Sequence, residues 1–347
     1  MKLNIWKQFP APAAVVAVLL LVLAGRGSWM AARFYLNQGL IDSFALDREQ
    51  SLPLLAQAYT WQPDDERIVW QLGRLHHLAQ QPEAAVSVWQ TSPLAGVTLL
   101  QHGDAFLAEA DWEAALLWYT YAQQVDAASA RAINGQGDAW WGLADWVQAR
   151  AAYAQALELE ANEAEYYLDY ARVLMLDEAD LDLAAEMLEK AAVLTPDSEA
   201  VYRSLANLAA RRGDMEQTVY WWEQAGAVPG PSIDTLLHLA EVYEQTNRLA
   251  EAVSIYEQAA AQAPDAPSTR LGLAAAYLAL GEPQSALAET EVVLSRFPQN
   301  VMAWFIQGEA WLALGNEGEA HRALTQVLAI EPEHPQALAL LQTLPSE

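Results

Sequence analysis

His76, His77 and His102, together with the carboxylate run DEADLD at Asp177 to Asp182, are the side chains whose type could hold a metal ion. Adjacent histidines on a helix point to different faces, which argues for packed or exposed rings rather than a shared ion. The acidic run lacks the glycine and closing glutamate of a calcium loop and reads as a solvated turn between helices. Lysine occurs only at Lys2, Lys7 and Lys190, so there is no phosphate-binding GxxxxGK loop, and neither a GxSxG elbow nor an HExxH helix is present. GNEGEA at Gly315 to Ala320 lacks a dinucleotide fingerprint and is read as a turn. The chain has no cysteine, which removes thiol catalysis, disulfides, Cys-ligated zinc and iron–sulfur clusters. No catalytic group, cofactor or metal site is expected. The 14 tryptophans invite stacking of sugars or apolar peptide anchors, yet most fall at spacings that packing explains. Trp112, Trp118, Trp141, Trp146 and Trp221 do not, and either pack between elements or present an interface.

The elements that must position these residues repeat. Small residues recur at Gly39, Gly73, Gly103, Gly137, Ala171, Ala206, Ala240, Ala274 and Gly308, at intervals of 34 residues apart from one of 30 and one of 35. Twelve residues after each, or thirteen after Ala171, stands a second small column: Ser51, Ala85, Ala115, Ala149, Ala184, Thr218, Ala252, Ala286 and Ala320. Apolar or aromatic residues sit four before the first column (Tyr167, Tyr202, Trp304) and three after it (Phe106, Trp140, Tyr243, Tyr277, Trp311), the spacing of one helix face. Pro63, Pro196, Pro264, Pro298 and Pro332 close five units, because proline has no N–H and biases its predecessor away from helix. Each unit is therefore two helices of about a dozen residues packed as a hairpin through the small residues, and neighbouring hairpins stack to bury the remaining apolar faces.

This pattern resembles the tetratricopeptide repeat family, whose W, LG, Y, A, F, A and P positions are matched best by Trp304, Gly308, Trp311, Ala320, Leu324 and Pro332. The resemblance implies an all-α, right-handed α-solenoid of about nine helix hairpins over residues 32–334, with 335–347 as a short capping helix and tail. Arg270 and Asp42 occupy usually apolar places, TSPLAG at Thr91 to Gly96 marks a unit short of about one turn, and AVPGPS at Ala227 to Ser232 suggests a bend. In the family the concave groove is lined by the first helix of each unit and recognises peptide. The residues placed on that face are Asn134, Asp138 and Trp141, then Arg172 and Met175, then Arg203 and Asn207, with Glu241 beyond. Two readings of this patch stay open. Arg172 and Arg203 would capture an acidic or carboxylate-bearing segment, or the patch is a ladder between repeats, Asp138 with Arg172 and Arg203 or Asn207 with Glu241.

The N-terminus places Lys2 and Lys7 before an uncharged apolar run from Phe9 to Gly25, followed by Arg26. Val22-Leu23-Ala24 would pass as a signal cleavage site. Apolar character resumes at Trp29 to Ala32, and Trp6 and Trp29 suit the two aromatic belts of one bilayer, so residues 1–31 are read as an uncleaved transmembrane anchor. Charge around it favours a cytoplasmic N-terminus with the repeats extracytoplasmic; the alternatives are cytoplasmic repeats or a secreted chain. With 18 basic against 45 acidic residues the net charge of −27 disfavours nucleic acid as a partner. The expected function is a non-catalytic, membrane-tethered interaction scaffold for protein partners, as assembly factor or accessory subunit of a membrane complex. The alternatives are a secreted peptide or glycan binder and an accessory chain of an enzyme complex.

Overall fold

The computed structural model describes residues 48–344, with side chains from 51 onward. Among the described residues there are eighteen α-helices and no strand. The chain divides into two compact units, one ending at Val173 and one beginning at Leu174. The expected anchor, residues 1–31, lies outside the described residues, as do Gly39 and Asp42. No described helix is long and apolar enough to cross a membrane.

The first unit holds α1 (Arg48–Trp61), α2 (Glu66–Leu78), α3 (Pro82–Trp89), α4 (Pro93–Ala108), α5 (Trp112–Val125), α6 (Ala130–Gly142), α7 (Trp146–Leu159) and all but the last residue of α8 (Ala164–Leu174). In the second are α9 (Leu181–Leu194), α10 (Glu199–Arg211), α11 (Met215–Ala227), α12 (Ile233–Gln245), α13 (Leu249–Gln262), α14 (Pro267–Leu280), α15 (Pro283–Arg296), α16 (Val301–Ala313), α17 (Glu317–Ile330) and α18 (Pro335–Thr343). Within each unit sequential helices pack as hairpins, and alternate helices touch: α2 with α4, α4 with α6 and α3 with α5 in the first, α12 with α14 and α14 with α16 in the second.

Both small columns are buried wherever they are described, from Gly73 and Ser51 through Gly308 and Ala320. What they make room for is a third column, four residues after the second: Leu55, Trp89, Tyr119, Tyr153, Leu188, Trp222, Tyr256, Thr290 and Leu324, all buried. The fit is close enough that a Cβ added to Gly73 would lie 2.2 Å from Trp89 Nε1, and one added to Gly137 2.4 Å from Tyr153 Cε1. Small first-helix residues thus let the second helix lay a large ring against the backbone, which is how interiors of this density are filled.

Hairpin turns follow the same period. Gln80, Ala110, Ala144, Gly213, Asn247, Gly281 and Gly315, each seven after the first small column, take positive φ. The next residue's N–H returns to a carbonyl five back, as from Asp145 to Trp140 and from Asn316 to Trp311, closing the first helix. That next residue often caps the second helix: Asp111, Asp145, Asp214 and Asn316 each accept from an N–H three residues on. Before α9 the extra residue of that unit is taken up by a one-turn 3₁₀ helix, Glu178–Asp180, N-capped by Asp177.

The irregular places have local explanations. The short unit loses its residues from the end of α3, which has only eight, while Ser92 caps α4. AVPGPS spans the end of α11 and the loop to α12, where Ser232 caps α12 and also donates to Glu199. Arg270, the expected outlier, does what aromatic residues do at its position elsewhere. Trp304 Nε1 donates to the Pro298 carbonyl at 2.8 Å, and Arg270 Nε donates to the Pro264 carbonyl at 3.0 Å. Its remaining charge pairs with Glu289 at 2.6 Å. At the C-terminal end α18 covers Phe305, Leu324 and Val327 with Ala337, Leu340 and Leu341.

Candidate functional site

The residues placed on the groove face divide between the units: Asn134, Asp138, Trp141 and Arg172 in the first, Met175, Arg203, Asn207 and Glu241 in the second. In the first unit they belong to one network. Arg172, on α8, donates from Nη2 to Asp138 Oδ1 at 3.0 Å and to the Tyr153 hydroxyl at 3.0 Å, and lies 3.3 Å from Asp169 Oδ1. Its guanidinium also stands 4.6 Å over the Trp141 ring, a cation–π contact. Tyr153 donates to the same Asp138 oxygen at 2.8 Å, and Asn134 Nδ2 donates to Asp169 Oδ2 at 2.9 Å. The Arg172–Asp138 rung of the expected ladder is thus present. Arg172 faces two carboxylates within its own unit, so its charge is answered before any ligand arrives.

Burial sets the electrostatics here. Asp169, 8% exposed, is lifted to about 7, first by burial and then by the charge of Asp138. Burial likewise raises Asp138, against the opposing pull of Tyr153 and Arg172. Asn134 is 4% exposed, and its Oδ1 has no hydrogen-bond partner among the described residues.

Beside this network an open cleft of about 540 Å³ is lined by Asn134 and Asp138 of α6, Asp104 of α4, and Glu160, Glu163 and Glu165 of the α7–α8 connection and the start of α8. Arg131 enters it and pairs with Asp104 at 2.6 Å, while Tyr119 donates to the other Asp104 oxygen at 2.7 Å. Tyr166, a buried wall residue, is pushed up to about 12 by burial and then by the charges of Glu160, Glu163 and Glu165.

In the second unit Arg203 pairs with Glu199 on its own helix at 3.6 Å, rather than with Glu241. Burial pushes Glu199 up, but hydrogen bonds from Ser232 and Thr235 and the Arg203 charge outweigh it and leave the carboxyl below its usual range. Asn207 is exposed and Met175 half-buried.

The histidines and the irregular tryptophans are mostly packing elements. His102 stacks between Trp70 (5.1 Å) and Trp118 (4.8 Å), and His77 bonds the Tyr121 hydroxyl at 3.0 Å; burial holds both imidazoles below their ordinary value. Trp112 fills the space a side chain on Gly142 would need, and Trp221 stacks on Tyr202. Trp141 meets Trp146 edge to face at 4.7 Å, and Trp146 remains 41% exposed.

Asp169, Tyr153, Asp104, Arg131 and the three glutamates were not singled out from sequence. One signal could have found the network. Three residues before the first small column, Leu100, Leu168, Leu237, Leu271 and Phe305 are apolar, whereas Asn134 and Arg203 break the series. A buried amide in an apolar column departs from the local packing rule, and such departures gather at functional sites.

Each unit is thus a segment of tetratricopeptide-like solenoid: helix hairpins on a 34-residue period, joined through two small columns and one column of large side chains. Residues 243–304 match the family model described as tetratricopeptide repeat. Among solved structures, the chain is similar to the C-terminal part of a TPR repeat-containing protein from Cytophaga hutchinsonii, with TM-score 0.59 and 14% identity over 69% of this chain and 98% of that one. It is also similar to YrrB, a TPR protein with an unusual peptide-binding site (TM-score 0.49, 19% identity, 56% of this chain, 99% of that one). A third match is PilF of Pseudomonas aeruginosa (TM-score 0.47, 18% identity, 62% of this chain, 97% of that one). No curated protein matches the sequence.

Proposed function

We propose that the protein is a non-catalytic interaction scaffold, held at a membrane by residues 1–31, with its repeats on the extracytoplasmic side, where they hold a protein partner as assembly factor or accessory subunit of a membrane or envelope complex. The observation that carries the interaction reading is the Asn134–Asp169 amide–carboxylate pair, with Asn134 buried at a repeat position that the two adjacent repeats fill with leucine, Leu100 and Leu168. Burying such groups costs free energy that packing alone does not require. Asn134, Asp138, Trp141 and Arg172 in the first unit, and Met175, Arg203 and Asn207 in the second, are the proposed partner-facing residues.

Tethering rests on the apolar run from Phe9 to Gly25 and its flanking Trp6 and Trp29. The Val22-Leu23-Ala24 segment supports the rival reading, a cleaved and secreted peptide or glycan binder. Full-length chain extracted from membranes, identified by intact mass and carrying a co-purified protein in fixed ratio, is the expected result. A soluble chain beginning at Gly25 would reject the anchor, and a chain that holds no protein at native abundance would reject the scaffold. Protease added outside the inner bilayer should reach the repeats; protection until that bilayer is lysed would reverse the orientation.

A further inference from the structure

Two helices of the second unit are too sparsely charged for the surface they show. α14 carries a single charge, Arg270, which is committed to the Pro264 carbonyl and to Glu289. α16 also carries a single charge, Glu309. A helix that is apolar nearly all round is ordinarily covered on every side. α14 packs against α12, α13, α15 and α16, and Leu273, Ala274 and Ala276 are buried in those contacts. One face is left open. On it Ser268, Ala275 and Ala279 are exposed and Leu271 and Leu278 half-buried, at the spacing of a single helix face. The same register on α16 holds Met302, 54% exposed, with Leu312 half-buried and Ala313 exposed.

Carboxylates stand on either side of this strip. Glu309 takes the place on α16 that Ala275 has on α14, and Glu241 and Glu244 take the places of Ala275 and Leu278 on α12. Glu244 accepts from the Tyr256 hydroxyl at 3.4 Å. Burial raises Glu244 and Glu309 above their ordinary range, and no cation among the described residues draws either back. An apolar strip flanked by unanswered carboxylates is complementary to a surface that is apolar along its middle and basic along its edges.

We propose that α14 and α16 form a docking face for an amphipathic α-helix of the partner protein. Its apolar stripe lies over Leu271, Ala275 and Leu278, and its flanking Lys or Arg side chains meet Glu241 and Glu244 on one side and Glu309 on the other. The proposal rests on the scaffold reading and names the chemistry of its partner. A helix fits better than an extended segment because the backbone N–H and C=O groups of α14 and α16 are used within their own helices. An extended segment laid on this face would bury its own backbone groups unpaired, whereas a helix satisfies them internally. Ala275, Ala279 and Ala313 let the incoming helix approach closely, and the carboxylates disfavour an anionic lipid surface as the occupant.

The test uses the full chain in phosphatidylcholine nanodiscs, where no free detergent competes for the face. The probe is a fluorescent capped peptide the length of α14, with leucines at helical spacing flanked by lysines. Fluorescence anisotropy should show it binding at least about tenfold more tightly than three controls: a scramble of the same composition, a version with glutamate for lysine, and a version with a central proline. Ala275→Gln/Ala279→Gln, which places longer polar side chains at two exposed positions of the face, should weaken binding by about fivefold or more, and Glu309→Gln by about threefold. Ala250→Gln/Ala261→Gln, at exposed positions of α13, should leave it unchanged, and circular dichroism should show all variants folded as the wild type is. Scrambled or proline-containing peptide bound as tightly as the parent overturns the proposal. So does equal weakening by the two alanine pairs, or none by either. A wild-type chain that self-associates and becomes monomeric in Ala275→Gln/Ala279→Gln gives the face to a second copy and overturns it too. A protein that co-purifies equally with wild type and with that variant overturns the face and leaves the scaffold standing; a chain that co-purifies with nothing removes the scaffold itself.

Discussion

Arg172 reaches Oδ1 of Asp138 at 3.0 Å, joining residues one repeat apart, and Tyr153 donates to the same oxygen. One carboxylate therefore ties the first helices of two successive hairpins to the second helix between them. Asp138→Ala leaves the buried Tyr153 phenol without its acceptor and takes away one of the two carboxylates beside Arg172, and should destabilise the first unit by about 1–3 kcal/mol. Urea melts of Asp138→Ala, Arg172→Gln and the double variant would measure the coupling. If the two losses simply add, the residues do not act as one network.

A buried carboxylate in the same network gives a pH signature. Burial and the Asp138 charge raise Asp169 from 3.8 to about 7 in the folded protein, with Arg172 and Asn134 pulling the other way. The folded state therefore holds this proton more tightly than the unfolded chain. The stability it contributes is fully present below about 3.8 and is lost as pH rises through about 7. Relative to Asp169→Asn, which does not titrate, the wild type should lose stability between about pH 4 and about pH 7. A difference between the two melting curves that stays constant across that range would contradict the assignment.

The turn column offers a stabilising change. Ala110 and Ala144 both hold φ at 58°, a left-handed conformation that costs an L-residue about 1–2 kcal/mol. Glycine relieves this cost at the expense of a more flexible unfolded chain, so Ala110→Gly and Ala144→Gly should each stabilise by about 0.5–1 kcal/mol. Thermal melts check this; a fall in melting temperature would mean that the methyl groups are needed where they stand.

The opposite change at the first small column should be harmful. In Gly137→Ala the new Cβ would sit 2.4 Å from the Tyr153 ring, and the ring is already fixed by its bond to Asp138. Overpacking of this kind costs about 1–3 kcal/mol. The variant should also disturb near-UV circular dichroism, since it displaces a buried tyrosine; an unchanged spectrum and melt would show that the ring has room to move.

How much of this was legible in the sequence depended on whether a residue's role follows from the period. The small columns and closing prolines did, because backbone approach and loss of an N–H constrain residue type directly. The left-handed turn column did so only at Gly213, Gly281 and Gly315, since Gln80, Ala110, Ala144 and Asn247 hold the same conformation without its usual residue. Arg270 looked like an outlier because its backbone-bonding role at the unit boundary is carried by Trp304 elsewhere. Within the site, Asn134, Asp138, Trp141 and Arg172 were placed together by helix face, and the structure joins them. Asp169 stands one residue after Leu168 of the apolar column, and Glu160 and Glu163 lie in a connection whose path no periodicity describes. Their meeting with Asn134 is a fact of packing. The sequence left open whether Arg172 pairs with Asp138 or takes an acidic ligand, and it did not place Asp169, a second carboxylate 3.3 Å away, beside it.

The proposed function puts a protein partner on the face of the first unit that carries the Asn134–Asp169 pair. Hydrogen exchange of the full chain, free and in its co-purified complex, tests this most directly. The account predicts slower exchange in the complex over residues 131–138 and 160–169, the segments that carry Asn134, Asp138, Glu160, Glu163, Glu165 and Asp169. Unchanged exchange there, with protection confined to other helices, would contradict it.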